Sequence, residues 1–287
     1  MDLWSKTVID TLYITDLDGT LLMPDATVSA ESREILTPLL EAGLPLSCAT
    51  ARTSYSVMQI LDGLPMQLPL ILQNGSVLHD PRTDRIVYAA EIEQSAFLRL
   101  TDLIASFGFN GFVFCVPEDT LVCCYTELNT PHMQEYYRVR SGQFGKPFLK
   151  MDSMREIAGM HPVFLSLHAE KAVLDPFYEA VTQLPGVSVS YYRDVYEPEI
   201  WYIEMSAPDA SKYHGILRLK EMTGARQVVG FGDNFNDLPL FSACDRKIAV
   251  GNAADALKAK ADLVIGCNTE NAVAKYLAGV FRTEADA

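Results

Sequence analysis

The sequence has no run of basic residues. Lys and Arg number 23 against 37 Asp and Glu, a formal net charge of -14, which makes nucleic acid and anionic membrane poor electrostatic partners. No apolar stretch approaches the roughly 20 residues that cross a bilayer, and residues 1–10 lack a charged segment followed by an apolar core. The expectation is a soluble protein that is not exported and works in the cytoplasm. None of the six cysteines (Cys48, Cys115, Cys123, Cys124, Cys244, Cys267) stands in a C-x-x-C pair, and most lie in strand-like apolar runs; they read as reduced core residues. His79, His132, His161, His168 and His214 lack metal-ligand spacing. Gly230-x-Gly232 lacks the third glycine of a dinucleotide fingerprint, because Phe235 stands in its place. If the substrate is an anion, the acidic field opposes it, and the site must create local positive potential from metal, lysine or helix N-termini.

What is present is enough for two ordinary domains: 287 residues, 49% of them hydrophobic. Apolar strands at 13–15, 44–50 and 69–73 alternate with helices at 30–41, capped by Ser29 and stopped at Gly43, and at 53–61. Pro38 inside the first helix is expected to kink or shorten it. Three such strands predict a parallel sheet covered on both faces. From about residue 82 the texture becomes α+β. Strands at 85–89, 111–116 and 121–125 accompany a helix at 94–107, 126–160 reads as irregular with short helices, and 163–206 reads as strand, helix and two strands of an antiparallel sheet. From 208 the alternating texture returns, with a helix at 211–222, a buried strand at 227–232, a helix at 234–243 and short elements to 265. The tail after Arg282 is expected to fray. The fold class is therefore α/β, a doubly wound parallel sheet split into residues 1–81 and 207–287, with an inserted α+β domain at 82–206.

In such a sheet, ligands bind beyond the carboxyl ends of the strands, and the polar groups of interest fall there. Asp16 and Asp18 follow the first strand in Asp16-Leu17-Asp18-Gly19-Thr20, Thr50 ends the second, Asn74 the third, and Asp233-Asn234-Phe235-Asn236-Asp237 follows the strand after the insert. Two carboxylates at i and i+2 on a strand aim at one face, which calls for a bound metal ion or a nearby lysine; taken alone, Asp-Gly is also an ordinary turn. Lys212 opens the helix that re-enters the core. Together these are the parts of phosphoryl transfer through a covalent intermediate. Asp16 serves as nucleophile, Asp18 as acid and base, and Thr50 and Lys212 as holders of phosphoryl oxygens. Mg²⁺ takes oxygens from Asp16, the Asp18 carbonyl and Asp233. Asn74 sits in a turn beside the site, where its amide can touch substrate.

In this order, these segments resemble the four motifs of the haloacid dehalogenase superfamily, over about residues 12–278. The insert's position resembles the Cof-like subclass with an α/β cap, mostly phosphatases of sugar phosphates and related metabolites. The resemblance implies a Mg²⁺-dependent phosphatase of small phosphorylated metabolites, with Asp16, Asp18 and Asp233 on the metal and Lys212 with Asn236 on the phosphate. Asp237 steadies a metal-bound water or the lysine. Members often carry Thr-Gly-Arg where this chain has Thr50-Ala51-Arg52, and glycine after the lysine where it has Tyr213. Both changes are expected to alter substrate fit. A sugar-phosphate mutase needs the same motifs and differs only in the acceptor. A receiver-like signalling module has no place for the insert, and nothing in the sequence supports a binding protein that has lost turnover. Tyr125, His132, Tyr191, Tyr192, Arg193 and Trp201 of the insert are candidates either for contacting the leaving group or for packing the fold. The sequence leaves the oligomeric state open.

Overall fold

Residues 11–15 (TLYIT) are buried on both faces from Leu12 onward, the pattern of a strand inside a parallel sheet. In the computed structural model, which describes residues 9–194 and 197–285, this strand, β1 (Thr11–Thr15), is followed by α1 (Ala30–Glu41), β2 (Leu46–Cys48), α2 (Ser54–Ile60), β3 (Leu70–Leu72), β4 (Val77–Asp80) and β5 (Arg85–Ala89). The Ser29 hydroxyl accepts from Ser32 N at 2.9 Å and starts α1. Pro38 does not shorten that helix, which runs its full twelve residues.

The third apolar strand departs from expectation. β3 touches β2 through a single parallel bridge, Ala49 to Ile71, and pairs antiparallel with β4 in a separate sheet ordered β3-β4-β5. The cause is local: Gln73, Asn74 and Gly75 have φ of 48°, 54° and 95°, three left-handed residues in succession that turn the chain back on itself.

Two compact units are present, one comprising the residues to Val87 with those from Ser211 onward, the other Tyr88–Ala210. The change of texture in the sequence predicts these boundaries at 82 and 206, a few residues earlier. The second unit contains α3 (Gln94–Ser106), β6 (Phe112–Cys115), β7 (Val122–Tyr125), α4 (Pro131–Phe144), β8 (Phe148–Lys150), β9 (Pro162–Glu170), α5 (Lys171–Val181), β10 (Ser188–Arg193) and β11 (Ile200–Ser206). Its sheet runs β10-β11-β9-β6-β7-β8 and is antiparallel except for the β7/β8 pair. Phe97, Leu100 and Ile104 of α3 and Leu174 and Phe177 of α5 pack with Val113, Leu165, Leu167, Ile203 and Met205 into one apolar core. The fourteen-residue α4 replaces the irregular segment expected there; the Thr130 hydroxyl accepts from Met133 N at 3.1 Å, Pro131 follows, and Gly145 ends it at φ 60°.

The chain then supplies α6 (Lys212–Thr223), β12 (Gln227–Gly232), α7 (Leu238–Ala243), β13 (Arg246–Ala249), α8 (Asp255–Lys258), β14 (Leu263–Val264) and α9 (Ala272–Ala285). The helix expected at 234–243 is divided, with one tight turn at Phe235–Asp237 before α7. α9 was not foreseen and continues past Arg282; the last two residues of the tail lie outside the described residues. The main sheet of this unit, β14-β13-β12-β1-β2, is parallel throughout, so β1, β2 and β12 end on the same edge. No described helix is long and apolar enough to cross a membrane. All six cysteines are free thiols, five of them buried.

Candidate active site

Asp16 is the first residue beyond β1. Its backbone N–H donates to Phe231 O at 3.0 Å, extending the ladder to β12 by one bond, and the residue is 4% exposed. The chain then leaves the strand. Gly19 has φ 77°, and a Cβ on it would lie 2.4 Å from Asp233 Oδ2, so glycine is required both for the left-handed turn and for the approach of the next loop. Thr20 Oγ1 donates to Asp233 Oδ1 at 3.2 Å, and Asn252 Nδ2 donates to Gly19 O at 2.8 Å.

The second component is the start of α6. Ser211 caps it by accepting from His214 N at 3.2 Å, and Gly75 fits against this end because a Cβ there would lie 2.0 Å from Ser211 O. Gly215 likewise lets α6 lie on β3, since its Cβ would be 2.5 Å from Ile71 Cγ2. Lys212 is thereby driven inward. Its ammonium is buried between Asp16 Oδ1 at 2.6 Å and Asp237 Oδ1 at 2.7 Å.

The third component is the turn after β12. Asp237 is wholly buried, and its second oxygen accepts from Asp233 N at 2.9 Å and Asn234 N at 3.2 Å. Both of its oxygens are thus occupied in positioning the lysine and the turn. One oxygen from each of Asp16, Asp233 and Asp237 lies within 4.8 Å of the others.

Three carboxylates share one ammonium, and the electrostatics follow. Burial pushes Asp16 up to about 7, with Lys212 opposing the rise and Asp237 and Asp233 adding to it. Asp233 is pushed up to about 6 by burial and then by Asp237. For Lys212, burial opposes the charged form, but Asp16 and Asp237 outweigh it and raise its pKa. This surplus of negative charge, offered entirely through oxygen, fits a hard divalent cation. Asp16 and Asp233 are the carboxylates left to hold one.

Asp18 takes a different partner from Asp16. Strand alternation stops at Thr15, and the Asp18 carboxylate is gripped by Arg52, with Nη2 to Oδ1 at 2.6 Å and Nε to Oδ2 at 2.7 Å. Arg52 is anchored in turn by Ser56 of α2 at 2.9 Å. Thr50 is buried and its hydroxyl accepts from Arg52 N at 3.2 Å, while Asn74 N donates to Thr50 O at 2.9 Å. Ala51 and Asn236 are exposed. The structure therefore gathers Asp16, Lys212, Asp233 and Asp237 tightly and gives Asp18 to Arg52. In the second unit, Tyr191 and Trp201 are partly buried against the apolar core and Arg193 donates to Pro198 O, whereas Tyr192 is 42% exposed on the other side of the sheet.

The family model for haloacid dehalogenase-like hydrolases matches residues 13–277. The chain belongs to this family. Among the relatives of this haloacid dehalogenase-like hydrolase is the pyridoxal phosphate phosphatase YbhA of Escherichia coli, 26% identical over 91% of this chain and 95% of that protein. Another is the 5-amino-6-(5-phospho-D-ribitylamino)uracil phosphatase YwtE of Bacillus subtilis, 26% identical with the same coverage of 91% and 95%. Among solved structures, a haloacid dehalogenase-like hydrolase from Bacteroides thetaiotaomicron has the same fold, with a TM-score of 0.75, 20% identity and coverage of 94% of this chain and 99% of that one. Sequence reasoning missed three supports of the hydrolase's first loop. Thr20 and Asn252 act as described, and Asn268 Nδ2 holds Leu22 O at 2.8 Å. Thr20 lies within the motif itself, but nothing in the sequence marks the two asparagines.

Proposed function

We propose that this hydrolase is a Mg²⁺-dependent phosphatase of small phosphorylated metabolites that works through an aspartyl phosphate on Asp16. The observation that carries the reading is the buried Asp16 carboxylate fixed by Lys212 at 2.6 Å beside Asp233 and Asp237. The relatives named above are phosphatases, and sugar phosphates and ring-bearing phosphates form the first substrate panel.

Asp16 and Asp233, with the Asp18 carbonyl, would hold the metal, and Asp237 would act through Lys212 and the turn. Bound Mg²⁺ supplies charge neutralisation between an anionic nucleophile and an anionic phosphoryl group. Lys212 orients the Asp16 carboxylate; as an Asp16 oxygen bonds to phosphorus, the bond to the leaving oxygen breaks and Asp18 delivers its proton there. Asp18 then takes a proton from water, whose oxygen attacks phosphorus, releases phosphate and restores Asp16. Thr50, Ala51, Arg52, Asn74 and Asn236 form the surrounding phosphate and substrate contacts. Because Asp18 is held by Arg52, its release accompanies the arrival of a phosphate that competes for the guanidinium. Residues 82–206 act as the cap domain that sets specificity, and the enzyme acts in the cytoplasm.

The test is phosphate release from sugar phosphates, nucleotides, pyridoxal phosphate and an aryl phosphate, with Mg²⁺ and with EDTA, for wild type and Asp16→Asn. Metal-dependent release that vanishes in a folded Asp16→Asn protein is expected. Substantial residual turnover in that variant would remove Asp16 as nucleophile.

A further inference from the structure

The sheet of the second unit is covered on both sides, and the two coverings differ in kind. On one side α3 buries Phe97, Leu100 and Ile104 and α5 buries Leu174, Phe177 and Val181 against the apolar core. On the other lies α4, and of its described side chains only Met133 is buried. Strand alternation fixes what α4 covers: Val113, Cys124, Leu167 and Ile203 belong to the core, so their chain neighbours Phe112, Cys123, His168, Tyr202 and Glu204 face the other way. Tyr136 of α4 packs on Phe112 with ring centroids 4.6 Å apart and on His168 at 5.1 Å, and His132 lies 5.3 Å from His168.

Three groups at this contact are buried without the partners that burial demands. Lys146, just beyond the Gly145 that ends α4, is 5% exposed. Its ammonium lies 4.0 Å from the Phe114 ring centroid and donates to the Tyr136 hydroxyl at 3.5 Å. Glu204 is half-buried and accepts from the Tyr192 hydroxyl at 2.6 Å. Among the described residues neither Lys146 nor Glu204 forms an ion pair, and burial pushes the first down to about 8 and the second up to about 7. His168 Nδ1 is buried without a hydrogen-bond partner. Aromatic rings and single hydroxyls return less than the lost hydration of a charge, so the contact holds two uncompensated charges. Lifting α4 hydrates all three groups, whereas detaching α3 or α5 exposes only an apolar core. The cost of opening therefore differs between the two sides.

We propose that α4 is a lid, which lifts off the sheet as a unit together with Lys146 while α3 and α5 stay packed, and so gives the second unit a closed and an open state. The chain marks where the movement stops. Thr126 is tied to Asn110 at 2.8 Å before the helix, and Pro147 O accepts from Cys123 N at 3.0 Å after it. Residues 127–146 lie between these ties, with the left-handed Gly145 at φ 60° inside the second hinge. The open state uncovers the face of Phe112, Cys123, His168, Tyr202 and Glu204. The inference does not depend on the phosphatase reading, because every group in it belongs to the second unit.

Native-state hydrogen exchange and thiol alkylation of the full chain at neutral pH, both read by mass spectrometry of peptides, test the lid. Amides of α4 are expected to be about a hundredfold or more less protected than those of α3 and α5, once intrinsic exchange rates are divided out. Cys123 and Cys124 are adjacent, both 0% exposed, and face opposite sides. Iodoacetamide should therefore modify Cys123 through the open lid, about tenfold or more faster than Cys124. Equal protection of the three helices, or Cys123 reacting no faster than Cys124, overturns the proposal. Lys146→Met and Glu204→Gln each remove one uncompensated charge and should raise the protection of α4 about tenfold or more. That rise should match the rise in α3 and α5, because an open lid hydrates these charges as fully as the unfolded chain does. A rise confined to α3 and α5 would show that the charges stay buried during opening, and no rise in either variant would show that they cost the closed state nothing; each result overturns the lid.

Discussion

Lys212→Met tests the centre of the site most directly. The Lys212 side chain is 1% exposed, the side chains of its partners Asp16 and Asp237 are 5% and 0% exposed, and the two contacts are 2.6 and 2.7 Å. Methionine fills most of the same volume, so the change removes charge with little loss of packing. Removing one partner from a buried ion pair costs about 3–5 kcal/mol, because the remaining carboxylates stay desolvated without compensation. For a unit of this size that corresponds to a fall of roughly 6–20 °C in thermal midpoint. The assay is urea and thermal unfolding in EDTA, so that no added cation takes over the lysine's role. Asp237→Asn in the Lys212→Met background should recover part of the loss, giving a coupling energy of at least about 1 kcal/mol in the double-mutant cycle. A loss below about 1 kcal/mol with additive single effects would show that the triad is not an electrostatic unit, and with it would go the argument that Lys212 fixes Asp16.

Three further outcomes follow from the geometry. Three carboxylates around one ammonium predict that Mg²⁺ raises the thermal midpoint and EDTA lowers it; a saturating concentration of about 100 times Kd contributes about 2.7 kcal/mol, and scanning fluorimetry without any shift would argue against a cation site. Arg52→Ala should change stability by less than about 1 kcal/mol, since the Asp18–Arg52 pair is partly solvent-exposed, yet raise KM for phosphorylated substrates; an unaltered KM removes Arg52 from the substrate contacts. Glu204, whose carboxyl is pushed from 4.5 to about 7 by burial, binds its proton more tightly folded than unfolded. Its contribution to stability is therefore present below about pH 4.5 and is lost as pH rises through about 7. Thermal midpoints of wild type should fall relative to Glu204→Gln between pH 5 and 8, and parallel curves would contradict the shift.

The site was legible where its chemistry is local. Asp16 and Gly19 announce a strand end and a left-handed turn within four residues, and Asp233 with Asp237 brackets the tight right-handed turn after β12. The hairpin of β3 and β4 was not, because the decisive left-handed φ falls on Gln73, a residue with no preference for it, before the Asn-Gly pair that does signal a turn. The ends of α4 carry helix signals, Thr130-Pro131 and Gly145, but the segment is too polar to show the apolar stripe that identifies a helix.

Long-range partners were the least readable, and they decide how the motifs act. Asp16 and Asp18 look equivalent in the sequence, two carboxylates on one short stretch. They differ because α6 brings Lys212 to the first and the turn after β2 brings Arg52 to the second. One carboxylate is thereby buried and charge-compensated and the other stays exposed on an ion pair, the contrast on which the proposed roles of nucleophile and proton shuttle rest. This difference in environment resides in residues 34 and 196 positions away. The fold exists in part to bring them there: Gly75 and Gly215 have no side chains of their own to contribute, yet they allow α6 to lie close enough for Lys212 to reach Asp16.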